Sequence, residues 1–249
     1  MKEKVEQEIL SILQGKQFAT VDEIAAMLFV STATVRRKLT ALQEKGLVIR
    51  THGGAQLNDV NNQAPSFDLR VHTNILAKRK IALSAIKLIK NGDLIFLDGS
   101  TSSYLVAEYL QEFSDVSVLT NGIDTLSLLA KNKVKGYSTG GVISSVNQST
   151  LVGQLAIETT KKMHANIAFF SAQSIDSNGN VYDCFEQENY LRKTMMESAD
   201  IKVFLCDDTK VNRRSPFFLC NICDVDYVIT NADLKEFFNG KHSEKFIKV

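Results

Sequence analysis

Residues 20–55 read TVDEIAAMLFVSTATVRRKLTALQEKGLVIRTHGGA, two short helices and a glycine-bearing hairpin legible in the letters themselves. Thr20 stands three residues before Glu23, the spacing of a capping box, in which each side chain satisfies a backbone N–H at a helix start. Ile24, Ala25 and Leu28 then supply one buried face. After Phe29 and Val30, Ser31 is placed to cap a second helix over 32–45. Val35, Leu39 and Leu42 form its inner stripe, and Gly46 sits where a C′ glycine ends it. Leu47-Val48-Ile49-Arg50-Thr51-His52 is a β-rich run closed by Gly53-Gly54, which predicts a hairpin wing. Upstream, Val5, Ile9, Ile12 and Leu13 recur at helical spacing and Gly15 ends that helix. The first 46 residues therefore predict three helices ahead of the wing.

The third of these helices has an unusual outer face. At ~100° per residue, with Val35, Leu39 and Leu42 pointing inward, Arg37 points almost directly outward. Thr34 and Arg36 flank it, Thr40 and Ala41 continue the face, and Lys38 lies nearer the buried edge. Small hydroxyls (Ser31, Thr32, Thr34) and guanidiniums (Arg36, Arg37) thus gather near the helix N-terminus, where a recognition helix meets base edges. Arginine can donate two hydrogen bonds to the O6 and N7 of guanine. Arg50 and His52 in the wing are placed for phosphate or a minor groove. Residues 31–57 hold five basic side chains against one acidic, in a chain whose net charge is only +1. A basic stretch in a neutral chain is the footprint of a phosphate-facing surface. The plain alternative is a small helical bundle used for protein contacts.

With 249 residues, 44% hydrophobic and 23% charged, the chain has the composition of a soluble globular protein, long enough for one large domain or for a small one plus a medium one. The opening MKEKVEQEIL carries no secretory pattern, and no apolar run is long enough to span a bilayer, so a cytoplasmic protein without membrane contact is expected. Cys184, Cys206, Cys220 and Cys223 are expected as thiols. Cys220 and Cys223 make one C-x-x-C with no second pair to complete a zinc site, and neither metal nor cofactor is expected. Asn58, Asp59, Asn61, Asn62, Gln63 and Pro65 mark a polar linker over 58–73. It separates a winged helix-turn-helix over 1–57 from an α/β domain over 74–249.

Beyond residue 74, helical stretches alternate with short apolar runs at Leu94–Leu97, 116–119, 136–138, 167–170, 203–206 and 227–229. This rhythm predicts βαβ units and a largely parallel sheet. The turn-forming run 177–180 interrupts it with a hairpin. Polar or glycine-rich segments follow the apolar runs: Asp98-Gly99-Ser100-Thr101-Ser102-Ser103, Thr120-Asn121, Thr139-Gly140-Gly141, Ser171-Ala172-Gln173 and Asp207-Asp208-Thr209-Lys210. Open parallel sheets bind ligands beyond the carboxyl ends of their strands, so these loops together suggest a site for a small, oxygen-rich ligand. The hydroxyl-rich 98–103 loop leads into a helix and reads as an anion seat or as an ordinary N-cap. It is not a Walker loop, because G-x-x-x-x-G-K-[ST] is absent.

The run Val30-Ser31-Thr32-Ala33-Thr34-Val35-Arg36-Arg37-Lys38-Leu39, then Gly46-Leu47-Val48-Ile49-Arg50-Thr51-His52-Gly53-Gly54-Ala55, resembles the DeoR family of bacterial transcriptional regulators. The resemblance continues over 66–232. It includes Ser66-Phe67-Asp68-Leu69-Arg70 and Lys78-Arg79-Lys80 at the entry to the sensor domain. Leu97-Asp98-Gly99-Ser100-Thr101-Ser102 is similar to the family's L-D-x-G-T-T loop. Thr120-Asn121, Gly140-Gly141, Val152-Gly153 and Asp207-Asp208-Thr209-Lys210 match its later stations. The resemblance implies a sensor fold akin to ribose-5-phosphate isomerase and a double-stranded DNA operator as partner. It also implies a phosphorylated sugar as effector and a repressor of sugar-metabolism genes, rather than an enzyme. Phosphate is then expected at 98–103 with Lys210, and more weakly Lys78, while Asp98, Asn121, Asp207 and Glu186 are placed for sugar hydroxyls. Paired reading helices imply a homodimer or homotetramer. Two alternatives stand beside this: an isomerase-like enzyme, and a regulator whose pocket is vestigial. Four positions depart from the family pattern. Lys38 replaces an aspartate, which is expected to remove an ion pair or add a phosphate contact. Ser100 and Ser171 replace glycines, and a serine at 100 is expected to narrow the loop's backbone freedom. Asn166 replaces an aspartate.

Overall fold

A computed structural model of the chain describes residues 2–249 other than Gln17, Gly46, His52, 58–65 and Asn239. The helix stop read at Gly46 and the wing contact read at His52 lie outside the described residues. The chain divides into two compact units, Met1–Thr73 and Asn74–Val249.

The first unit runs α1 (Lys2–Lys16), β1 (Phe18–Thr20), α2 (Val21–Leu28), α3 (Thr32–Glu44), β2 (Val48–Thr51), β3 (Gly54–Leu57) and α4 (Phe67–His72). The capping box at Thr20 is complete: Thr20 Oγ1 accepts from Glu23 N at 3.1 Å, and Glu23 Oε2 accepts from Thr20 N at 2.8 Å. Ser31 Oγ accepts from Thr34 N at 3.2 Å and so starts α3. Between the two helices Phe29 takes the left-handed conformation, φ 54°, which turns the chain sharply. Ile9, Leu13, Ile24, Val35, Leu39 and Leu42 meet in one core and are almost wholly buried. Burial of each such side chain contributes ~1.5–3 kcal/mol. The wing pairs β2 with β3, and β1 adds a third antiparallel strand to β3, which the sequence did not announce.

The linker expected over 58–73 does not hold in its second half. Ser66 caps α4, and Leu69 enters the head's own core. The polar composition stops at Pro65, and Phe67, Leu69 and Val71 beyond it restore a buried set.

The second unit opens with α5 (Ile75–Ala85). It continues through β4 (Leu94–Leu97), α6 (Thr101–Ala107), β5 (Ser117–Thr120), α7 (Ile123–Lys131), β6 (Lys135–Ser138), β7 (Val142–Ile143), β8 (Leu151–Val152), α8 (Gln154–Lys161) and β9 (Ala165–Phe170). Then come β10 (Ser174–Ile175), β11 (Asn180–Asp183), α9 (Glu186–Glu197), β12 (Ala199–Cys206), β13 (Phe217–Asn221), β14 (Tyr227–Thr230), α10 (Leu234–Phe237) and β15 (Phe246–Lys248). Seven strands form one sheet in the order β15-β14-β12-β9-β4-β5-β6, with every neighbouring pair parallel. The six apolar runs supply six of these strands; the seventh, β15, is three residues long and carries no such signal. The turn at 177–180 makes the β10–β11 hairpin, to which β13 pairs as a third antiparallel strand.

The order of assembly positions the site. The chain lays β4 first, adds β5 and β6 on one side, then returns to place β9 and β12 on the other. Adjacent β4 and β9 therefore form the topological switch point, where open α/β sheets bind ligands at the strands' carboxyl ends. Beyond β6, Gly141 turns at φ 105°, and a Cβ there would lie 2.4 Å from Val152 O, so only glycine fits. Phe237 and Phe238 pack edge to face, and Phe238 stacks on Phe246 within the core. Cys206 and Cys220 are buried thiols, each pushed up to about 12 by burial, while Cys184 and Cys223 are exposed.

Candidate functional site

On α3, Val35, Leu39 and Leu42 face the core, as the angular reading requires, and Arg36, Arg37 and Thr40 are exposed. No ion pair to either Arg36 or Arg37 occurs among the described residues. Ser31 and Thr34 share a hydroxyl contact of 2.9 Å, so both first serve the cap, and Thr32 follows them on the opening turn. Arg50 reaches across from β2 and donates to Thr40 Oγ1 at 2.7 Å. Thr40 in turn donates to Arg36 O at 3.0 Å. Wing and helix thus share one polar outer surface. Lys38 turns inward instead: it is buried and donates to Glu6 Oε1 at 2.6 Å, while Lys45 donates to Glu6 Oε2 at 2.8 Å. Burial works against the Glu6 charge, but Lys38 and Lys45 outweigh it and hold the carboxyl below its ordinary range. The exchange at position 38 therefore keeps an ion pair inside the head, with α1 supplying the acid.

At the switch point, Asp98 follows β4 and Ser171 follows β9. Asp98 Oδ1 accepts from Ser100 N and Oγ and from Ser103 Oγ; Oδ2 accepts from Ser171 N at 3.3 Å and Arg192 Nε at 2.8 Å. Ser100 sits at φ −80°, where any side chain is comfortable, so serine in place of glycine does not strain the loop. Its hydroxyl is the N-cap of α6, accepting from Ser103 N. Because α6 is only seven residues long, positive charge at this edge comes chiefly from lysines. Lys78, buried on α5, donates to Thr101 Oγ1 at 3.2 Å. Lys210 donates to Ser171 Oγ and lies 3.8 Å from Asp207 Oδ2. Burial raises the Asp207 pKa, but Lys210, Thr209, Lys78 and Asn74 together pull it below its ordinary value. Lys78, Thr101, Ser171, Asp207 and Lys210 are thus brought to one place, with Asp98 joined to it through Ser171. Ser102 is buried beside Thr101.

On the other flank, Asn121 follows β5. Its Nδ2 donates to Leu151 O at 3.0 Å, which orients the amide, and its buried Oδ1 has no hydrogen-bond partner among the described residues. A buried acceptor left without a donor costs ~1–3 kcal/mol, so it marks a place where a donor belongs. Thr120, by contrast, accepts from Gly122 N and shapes the turn. Gly140 packs against Leu155, and Gly141 against Val152 and Ala156.

Glu186 is exposed, and its carboxylate accepts from the Tyr190 hydroxyl at 3.1 Å. Asn166 accepts from Leu94 N at 2.8 Å, at the opposite end of the strands from the site, so its departure from the family pattern leaves the site untouched. Sequence reasoning missed a buried hub. Arg192 on α9 contacts Asp98 through Nε, Asp183 through an amino nitrogen at 3.1 Å and Glu188 at 2.8 Å. Burial disfavours its charge, but Asp183, Glu188 and Asp98 raise its pKa beyond the ordinary guanidinium value. Glu188 also accepts from Asn147 and Thr150. The Glu188–Arg192 spacing of four on one helix was the one signal available. Among the described residues no three His, Cys, Asp or Glu side chains are grouped to hold a metal ion.

A helix-turn-helix head followed by a parallel sheet with a polar, lysine-bearing carboxyl edge defines a two-domain helix-turn-helix protein with a separate sensor fold. The chain belongs to the DeoR family of transcriptional regulators: residues 6–61 match the DeoR-like helix-turn-helix domain and 73–232 the DeoR C-terminal sensor domain. It is 34% identical over 224 residues to the L-fucose operon activator of Haemophilus influenzae, covering 90% of this chain and 88% of that one. It is 31% identical over 235 residues to the lactose phosphotransferase system repressor of Streptococcus mutans, covering 93% and 92%. Among solved structures, ribose 5-phosphate isomerase A of Methanocaldococcus jannaschii overlays loosely, at 18% identity over 55% of each chain with a TM-score of 0.42. No helix among the described residues is long and apolar enough to cross a membrane.

Proposed function

We propose that this chain is a DNA-binding repressor of sugar-metabolism genes, acting in the cytoplasm as a homodimer or homotetramer. A phosphorylated sugar held at the carboxyl ends of β4, β5, β9 and β12 sets its grip on the operator. The observation that carries this reading is the outward pair Arg36 and Arg37 on the opening turns of α3, two guanidiniums with no carboxylate against them among the described residues. They read base edges, while Thr32, Thr34 and Arg50 meet phosphates. The relatives' names include both a repressor and an activator, and both concern sugar genes.

The sensor half rests on the strand-end chemistry. Lys78 and Lys210 take the phosphate, and the orphaned Asn121 oxygen takes a ligand hydroxyl. The effector binds one arrangement of the sensor units better than another, and only one arrangement spaces the reading heads correctly. The bonding of the carboxylates favours this over an isomerase. Asp98 already accepts five hydrogen bonds, and Asp207 is held by Asn74, Thr209 and Lys210, so neither is poised as a general base.

Selection of a random duplex library on the full-length protein tests the reading. The expected product is an inverted repeat with half-sites about 10–10.5 base pairs apart or a multiple of that, bound with a steep salt dependence. One member of a phosphosugar panel then releases it without being converted. No enrichment, or turnover of a panel member, refutes the proposal.

A further inference from the structure

Ser171 ends β9 and is 1% exposed. Its hydroxyl proton is committed, because Oγ donates to Leu205 O on neighbouring β12 at 2.6 Å. Its lone pairs face the Lys210 ammonium, which donates to them. Asp207 Oδ2 stands on another side of that ammonium at 3.8 Å. An ammonium has three N–H bonds. One goes to Ser171 and one is drawn by Asp207, which leaves the third for a ligand. Lysine has a long, flexible stem, so whatever tethers it decides where that third bond points before a ligand arrives.

We propose that Ser171 is the positioning residue of the sensor site: its hydroxyl fixes the Lys210 ammonium at the β9–β12 crevice and thereby sets the affinity for the ligand's anionic group. This deepens, and rests on, the reading of the strand ends as the effector site. A glycine at 171 supplies no acceptor, so Lys210 would then be held by Asp207 alone and would lean onto that carboxylate.

Two measurements on the full-length protein test this. The first needs no ligand. Trace acetylation of lysines, read peptide by peptide, reports how firmly Lys210 is held, with Lys248 (55% exposed) as reference. In Ser171→Ala and Ser171→Gly, the Lys210 rate is expected to rise about tenfold, the scale of one hydrogen bond to a charged group. The second is calorimetric titration with inorganic phosphate and with ribose 5-phosphate. Ser171→Ala is expected to weaken phosphate binding about tenfold in the Lys210 background and less than about twofold in Lys210→Met. Unchanged Lys210 labelling in both variants overturns the proposal, as does an equal loss of affinity in both backgrounds. If the parent binds neither probe, the effector reading fails; the labelling still decides whether Ser171 holds Lys210. Using two variants guards against one of them failing to fold.

Discussion

On α3, Arg36 and Arg37 stand exposed with no carboxylate partner among the described residues; on α9, Arg192 has a side chain only 6% exposed and meets three carboxylates. The same functional group is put to opposite use. In the head the guanidiniums face solvent, with no carboxylate against them among the described residues. In the sensor unit the guanidinium is spent on Asp98, Asp183 and Glu188, joining the 98–103 loop, the β11 hairpin and α9. An arginine's function can therefore be read from its partners: a satisfied one holds structure and an unsatisfied one is available for recognition. Arg214 and Arg50 fall between, the first 67% exposed on one carboxylate, the second tied to one hydroxyl.

The largest effect is expected at Arg192. Arg192→Met leaves three buried carboxylates without their cation, and breaking such a pair costs ~3–5 kcal/mol. Denaturant unfolding of the sensor unit should show that loss, with little recovery in Arg192→Lys, whose single ammonium cannot replace a planar fork. Arg37→Ala should do the reverse. Its unfolding midpoint stays within ~0.5 kcal/mol of the parent, as expected of a surface change. Discrimination between operator and mismatched duplex falls by ~1–3 kcal/mol for each guanine that Arg37 reads, measured by competition gel shift. A drop in stability at Arg37, or none at Arg192, breaks the comparison.

Arg214 sharpens it from the side of pH. Burial opposes the Asp176 charge, but Arg214 and the backbone N–H groups of Asn180 and Asn178 outweigh it, holding the carboxyl at about 2 against an ordinary 3.8. A depressed pKa gives stability that is present above the ordinary value and is lost as pH falls toward the folded one. Thermal melts should therefore show the parent more stable than Asp176→Asn at neutral pH. The two curves should converge between pH 3.8 and about 2. Parallel curves would remove Arg214 from the structural side.

What the sequence made legible was local. The capping box at Thr20, the cap at Ser31 and the inward stripe of α3 depend on residues three to seven apart, and each is observed. The sheet's strands were legible because buried parallel strands are short apolar runs. What escaped depends on distant pairing. β1 is a strand only because β3 lies beside it, and β15 only because β14 does. Arg192 gave little sign of its importance because Asp98 lies 94 residues away. Angle alone puts Lys38 at the buried edge, yet nothing local names Glu6 as its partner, 32 residues upstream. At the strand ends the loops were legible as polar turns. Which of their side chains converge on the lysines was decided by strand order.

Arg50 is the finest test, because it is exposed yet not idle. Its hydrogen bond to Thr40 aims the guanidinium along the outer face of α3 rather than satisfying it, since a neutral hydroxyl leaves the positive charge intact. On the proposed reading this charge meets a phosphate, a contact that carries no sequence information. Arg50→Ala should therefore weaken operator and random duplex by the same modest factor and flatten the salt dependence by about one counterion. Thr40→Val, which keeps the charge and removes only its tether, should give a smaller loss with the salt slope unchanged. Fluorescence anisotropy titrations at several salt concentrations separate the two. A sequence-selective loss at Arg50 would move it to the reading side with Arg37, and a flat slope in Thr40→Val would mean that the tether, not the charge, makes the contact.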